Sequence, residues 1–134
     1  MIPSVNTILS TELEVEKQPS KNYKMKLEHN IVNGYCNEQE AMIQVIHKIL
    51  NTERYQYVIY SWNYGIELLD LFGEPVTYVC PELQRRIEEA LIQDDRITSV
   101  DNFEFDTSEK RTVKATFTVH TIYGDIQSEK VVNF

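Results

Sequence analysis

Val113-Lys114-Ala115-Thr116-Phe117-Thr118-Val119-His120 is the stretch on which the fold turns. Its apolar side chains fall on every second residue, the repeat of a strand with one face buried and one face wet. Just upstream, Phe103 and Phe105 alternate with acids, and downstream the run Ile126 to Phe134 continues the theme. Asp106 to Lys110 reads as one turn and Gly124-Asp125 as the tip of another, so the chain from Ile97 onward is expected to form a three-stranded antiparallel meander.

Toward the N-terminus the repeat lengthens from two residues to that of a helix. A helix is expected from Pro81, a residue favoured at a first helical position, burying Leu83, Ile87, Ala90 and Leu91 while Glu82, Arg85, Glu88 and Glu89 face water. A stronger one is expected over Glu38 to about Asn51, where Met42, Val45, Ile46, Ile49 and Leu50 make one apolar stripe. Asn37 is placed as its N-cap, with Glu40 as the reciprocal member of a capping box. Before it, Tyr23 to Leu27 and Ile31 to Tyr35 read as a hairpin, with Gly34 marking a bulge. Residues 1–19 read as an extended arm with a short strand at Glu12 to Val15, and residues 20–134 as one domain. The class is therefore α+β: an N-terminal β-hairpin, two main helices plus a short helix, and a C-terminal antiparallel three-stranded sheet.

Between the helices lies Tyr55 to Gly73, YQYVIYSWNYGIELLDLFG, which holds the only tryptophan and four of the eight tyrosines. Tyr55 to Tyr60 reads as a short strand, Gly65 as a turn, and Ile66 to Phe72 as a short helix stopped by Gly73. Two readings of its aromatics stand side by side. One is a core strand leading into a helix. The other is a rigid platform for another chain, presenting Trp62 and Tyr64, since these side chains give large contact area with few rotatable bonds.

Composition narrows the chemistry. A net charge of −8 with a pI near 4.8 opposes binding to a phosphate backbone, so no nucleic acid is expected as partner. No basic start followed by an apolar run suggests a signal peptide, and no stretch is long enough to cross a bilayer. Cys36 and Cys80 are expected to be reduced and buried, a bridge between them being the alternative. His47 lies beside the apolar stripe as a packed or half-exposed side chain rather than a ligand, with His29 in a turn and His120 in a strand. Metal-ligand, nucleophile-elbow and glycine-rich phosphate motifs are absent, so no metal, cofactor or catalytic residue is expected and an interaction protein is favoured. Glu67 and Asp70, three apart beside Trp62 and Tyr64, are the best carboxyl pair for a glycosidase.

Tyr60-Ser61-Trp62-Asn63-Tyr64-Gly65-Ile66-Glu67-Leu68, Leu91 to Val100 (LIQDDRITSV) and Phe103-Glu104-Phe105 resemble the XkdS-like baseplate proteins of contractile phage tails and phage-like elements, relatives of a small baseplate-wedge protein once taken for a tail lysozyme. The resemblance spans about Tyr23 to Val132. It implies a structural component of the baseplate that bridges the wedge scaffold and the first sheath ring, located in a virion tail or phage-like particle assembled in the bacterial host cytoplasm. It further implies that Arg96 belongs to a Glu-Pro-Arg docking motif, although here Asp94-Asp95 replaces the first two letters. Arg96 is also placed at a helix-to-strand corner, where it either clamps Asp94, Asp95 or Glu67 or reaches a neighbouring chain. The C-terminal sheet is the expected acceptor for an extended sheath segment, unless charges and the arm blunt its edge. The expected protein-interface residues are thus Trp62, Tyr64, Asp95, Arg96, Phe117 and Val119. A peptidoglycan-cleaving tail lysozyme using Glu67 and Asp70, and a small adaptor outside phage tails, are the two other readings.

Overall fold

A computed structural model describes residues 20–134, so the expected arm at 1–19 and its strand at Glu12 to Val15 lie outside the described residues. The α+β class holds: a two-stranded sheet of β1 (Asn22–Lys26) and β2 (Ile31–Cys36), helices α1 (Glu38–Leu50) and α2 (Val76–Ile92), and a three-stranded sheet of β3 (Ile97–Asp106), β4 (Thr112–Thr121) and β5 (Gly124–Asn133). In the larger sheet β4 lies between β3 and β5, all antiparallel.

The alternation read at 113–120 is the core of the molecule. Val113, Ala115, Phe117 and Val119 all point to the covered face, where they meet Met42, Ile46, Leu83, Ile87 and Leu91 of the helices. Fully burying a side chain such as Phe117 or Ile87 contributes roughly 1.5–3 kcal/mol relative to leaving it in water, so this layer between helices and sheet is the main source of stability. The second turn of the meander comes two residues earlier than expected: Thr121 pairs with Gly124, so Ile122 and Tyr123 form the tip and Gly124, at φ +118°, opens β5.

Three local expectations change. Asn37 is the N-cap of α1 with extended backbone, but its side chain makes no capping bond. Ser20 does this work instead, its Oγ accepting from the amide of Glu38 at 3.0 Å and donating to Asn37 Oδ1 at 3.3 Å. Glu40 pairs with Lys24 at 2.7 Å rather than reaching back to the cap, because the hairpin lies alongside the first turn. Second, α2 begins at Val76, five residues before Pro81, which sits inside the helix. Val79, buried with Leu83 and Ile87 on one stripe, carries the helical repeat upstream, and its packing outweighs the amide that Pro81 lacks. Third, Tyr55 to Tyr60 is not a strand and Ile66 to Phe72 is not a helix beyond one 3-10 turn at Leu69–Leu71. The β-branched and aromatic residues there have no neighbouring strand to pair with, and Tyr55 sits at φ +68° in a series of turns. The hairpin with its bulge is as expected: the register skips one residue of β2 around Gly34, at φ +80°. Cys36 and Cys80 are both unbridged, the first buried and the second half-buried.

Candidate functional site

The turn-rich segment between α1 and α2 carries the aromatic cluster, and most of it faces outward. Val58 is fully exposed, Ile59 and Trp62 are 85% and 81% exposed, and Tyr55, Tyr57 and Tyr60 are also open to solvent. The core-strand reading of this cluster therefore fails, since most of these side chains are exposed and residues 55–60 form turns. Order comes from below. Tyr64 is half-buried and stacks on Tyr60 with ring centroids 4.5 Å apart, while Tyr57 meets Tyr60 edge-on at 6.0 Å.

Polar groups at the base of the segment hold it in place. The Glu53 carboxylate accepts the amides of Leu68, at 3.0 Å, and Leu69, at 3.3 Å, and so caps the 3-10 turn. Arg54, nearly buried, donates to the carbonyl of Gly65 and to Glu89 of α2 at 2.9 Å. Gly65 lies at φ +93°, and its amide neighbour Ile66 donates to the carbonyl of Thr52 at 3.0 Å. Arg86, buried on α2, reaches across to Asp70 and to the carbonyl of Glu67. Sequence reading missed Glu53, Arg54 and Arg86. The signal for Arg86 was present: it interrupts the apolar stripe between Leu83 and Ala90, where a cation must find a partner.

Beside the loop runs a cleft of about 430 Å³ walled by Tyr64, Ser61 and Asn63, floored by Val45, Ile49 and Ala90, and closed by Asp94 and Arg96. Two of the expected interface residues, Tyr64 and Arg96, therefore share one cleft, while Trp62, exposed between Ser61 and Asn63 in sequence, is not among its lining residues. Asp95 is exposed next to it. Arg96 takes the internal option. Its Nε and Nη2 donate to the two carboxylate oxygens of Asp94 at 3.0 and 2.8 Å, and its amide donates to Asp94 Oδ1 at 3.0 Å. Burial pushes the Asp94 carboxyl up, but the hydrogen bonds from Arg96 outweigh it and hold the group below its ordinary range. Neither Asp95 nor Glu67 is its clamp.

Phe117 and Val119 are placed differently from expectation. Both are essentially fully buried, and they belong to β4, whose two edges are taken by β3 and β5. Neither side chain nor main chain there is open to a partner, because the inward phase of the alternation assigns these residues to the core. The edges without a partner strand among the described residues are those of β3 and β5, and they differ. The register of β3 against β4 breaks twice, with Asn102 at φ +54°. All ten residues of β5 pair with β4 in unbroken register. Along β5 a shallow groove of about 170 Å³ separates it from α1, lined by Ile43, His47, Asn51, Ser128 and Glu129.

Asp70 is held as a carboxylate, its pKa lowered by hydrogen bonds from Arg86, which is the opposite of what a general acid requires. Among the described residues no cluster of His, Cys, Asp and Glu has metal-binding geometry, and no helix is long and apolar enough to cross a membrane.

A relative, the phage-like element PBSX protein XkdS of Bacillus subtilis (strain 168), is 38% identical over 128 residues, covering 90% of each chain. The family described as "Contractile injection system sheath initiator" matches residues 10–124, which include the aromatic loop, the Arg96 corner and most of the sheet. An outward aromatic loop on a rigid base and a three-stranded antiparallel sheet suit a structural baseplate part on which sheath assembly starts, and the chain belongs to the sheath-initiator family of contractile injection systems.

Proposed function

We propose that this protein is a non-catalytic joint between the wedge scaffold of a baseplate and the first ring of sheath, carried in a tail or tail-like particle assembled in the host cytoplasm. The aromatic loop at Trp62, the cleft behind Tyr64 and the Asp95-Arg96 corner form its scaffold-facing side. Arg96 acts there by fixing the corner through Asp94, leaving Asp95 as the exposed charge. The sheath-facing side is the edge of β5, to which an extended segment of a sheath subunit adds as a further strand.

The observation that carries this reading is the unbroken ten-residue register of β5, whose outer main-chain groups have no partner strand among the described residues; the Asp125 carbonyl at its start is taken by the Gln39 side chain at 3.2 Å, which leaves the row from Gln127 onward as the acceptor. β3 is a poorer acceptor, since its two breaks in register twist the edge out of line. The Asp101, Glu104 and Asp106 carboxylates add charge there.

Substituting Gln127→Lys and Val131→Lys tests the assignment, because both side chains are exposed and edge lysines oppose strand addition. Electron micrographs are expected to show baseplates that retain the protein but carry tubes bare of sheath. Fully sheathed tubes from the double variant would rule out the β5 edge as acceptor.

A further inference from the structure

The β1–β2 hairpin is built unlike the rest of the molecule. Tyr23, Ile31, Val32 and Tyr35, on two strands of five and six residues, and Leu27 in the turn between them are each about half or more exposed. An isolated two-stranded ribbon is marginal in water without an apolar face covered. Here the cover comes from one side only. Gln44 of α1, itself buried, accepts the amide of Met25 at 2.8 Å and donates to the carbonyl of Tyr23, occupying the outer edge of β1, and Cys36 is buried against it. The outer edge of β2 and the tyrosines have no such neighbour among the described residues.

Charge says what kind of neighbour would fit. Three lysines against one glutamate give residues 20–36 a charge of +2, whereas nine cations against seventeen carboxylates leave residues 37–134 at −8. Lys21 lies 4.6 Å from the centroid of the Tyr35 ring, which in turn stacks on Tyr23 at 5.3 Å. Lys26 is exposed and has no carboxylate within salt-bridge distance among the described residues. Lys21, Tyr35 and Tyr23 thus form one preassembled patch, in which the tyrosines are of the type enriched at interface centres and the lysine adds the charge.

We propose that this hairpin is a third docking element, separate from the Trp62 loop and the β5 edge, and that it receives an acidic segment of a neighbouring baseplate protein. Carboxylates of that segment meet Lys21 and Lys26, and its apolar side chains cover Val32 and the Tyr23–Tyr35 stack.

The test is photocrosslinking from Tyr35→p-benzoylphenylalanine in assembled particles, with the crosslinked residues located by mass spectrometry. The proposal expects a different protein, joined at a segment carrying Asp or Glu within a few residues. It also expects Lys21→Glu with Lys26→Glu to lower incorporation by about tenfold, as reversal of steering charges does, and an Asp/Glu→Lys change in the crosslinked segment to restore it. The thermal midpoint of the purified double variant checks that the fold survives; if it does not, Lys21→Gln with Lys26→Gln replaces it, with a smaller loss expected. Crosslinks to a second copy of this chain, to its own residues 12–16, to lipid or to a basic segment would overturn the proposal. So would incorporation unchanged by the charge substitutions in a folded variant.

Discussion

Arg86 Nη2 donates to Asp70 Oδ2 at 2.9 Å while its Nη1 reaches both Asp70 Oδ1 and the carbonyl of Glu67, so one buried guanidinium pins the 3-10 turn to α2. Its Nε also meets Glu82 at 3.2 Å. Arg86→Met keeps the stem but strands the Glu67 carbonyl, and about 2 kcal/mol of stability should be lost, the size of hydrogen bonds involving a charged partner. Urea unfolding of the purified protein measures it. Asp70→Asn should cost less, since Asp70 is largely exposed and the carbonyl contact survives.

Gly65 cannot be replaced without moving the main chain. A Cβ there would lie 2.5 Å from the carbonyl oxygen of Thr52, and φ is +93°. Gly65→Ala should therefore destabilise by about 2 kcal/mol or more, from steric conflict and backbone strain together. It should also loosen the aromatic loop. Faster hydrogen exchange of the Arg54 and Ile66 amides, which bond across this contact, is the expected signature.

On the outer face of the sheet His120 sits between two carboxylates, with Nδ1 2.6 Å from Asp125 and Nε2 2.8 Å from Asp101, so it bridges all three strands. Hydrogen bonding first to Asp125 and then to Asp101 raises its pKa above the ordinary 6.5. A raised folded-state value means that the contribution is fully present below 6.5 and is lost as pH climbs through the folded value. Thermal midpoints of wild type and His120→Gln should therefore differ most in mildly acidic buffer and converge at alkaline pH. A gap that does not change with pH would count against the clamp.

Arg96→Ala removes the bidentate partner of Asp94 and leaves that half-buried carboxylate uncompensated. A loss of about 1–2 kcal/mol is expected, and Arg96→Lys should not restore it, because a point ammonium cannot reproduce the fork. If the arginine serves the baseplate by shaping its corner, incorporation of a series at positions 94 and 96 into particles should track stability. Loss of incorporation in a variant of unchanged stability would instead indicate direct contact.

How much of this could be read from residues alone depended on whether the deciding neighbour was close in sequence. The meander was legible because Val113 to Val119 repeats every two residues and its pairing strands follow directly. The stripe of α1 was legible for the same reason, within one helix. Tyr55 to Tyr60 misled because β propensity expresses packing against a partner strand, and none comes. Ser20 replaced Asn37 as the capping side chain only because the hairpin brings it beside α1, seventeen positions away from its partner. The aromatic cluster was conspicuous in the sequence but its exposure was not fixed by it, and Phe117 and Val119 needed the phase of the alternation to reveal which face is covered. Arg96 was legible as a corner residue, but which acid it holds was a matter of geometry.

Both helices lay their apolar stripes on strands that come after them in the chain, α1 meeting β5 and α2 meeting β3 and β4. A polypeptide leaving the ribosome therefore carries two amphipathic segments that have only each other and the hairpin to rest on until β3, β4 and β5 have emerged. The hydrophobic layer is thus sealed late, and the time taken to translate residues 97–133 is the window in which the helices are open to misassembly.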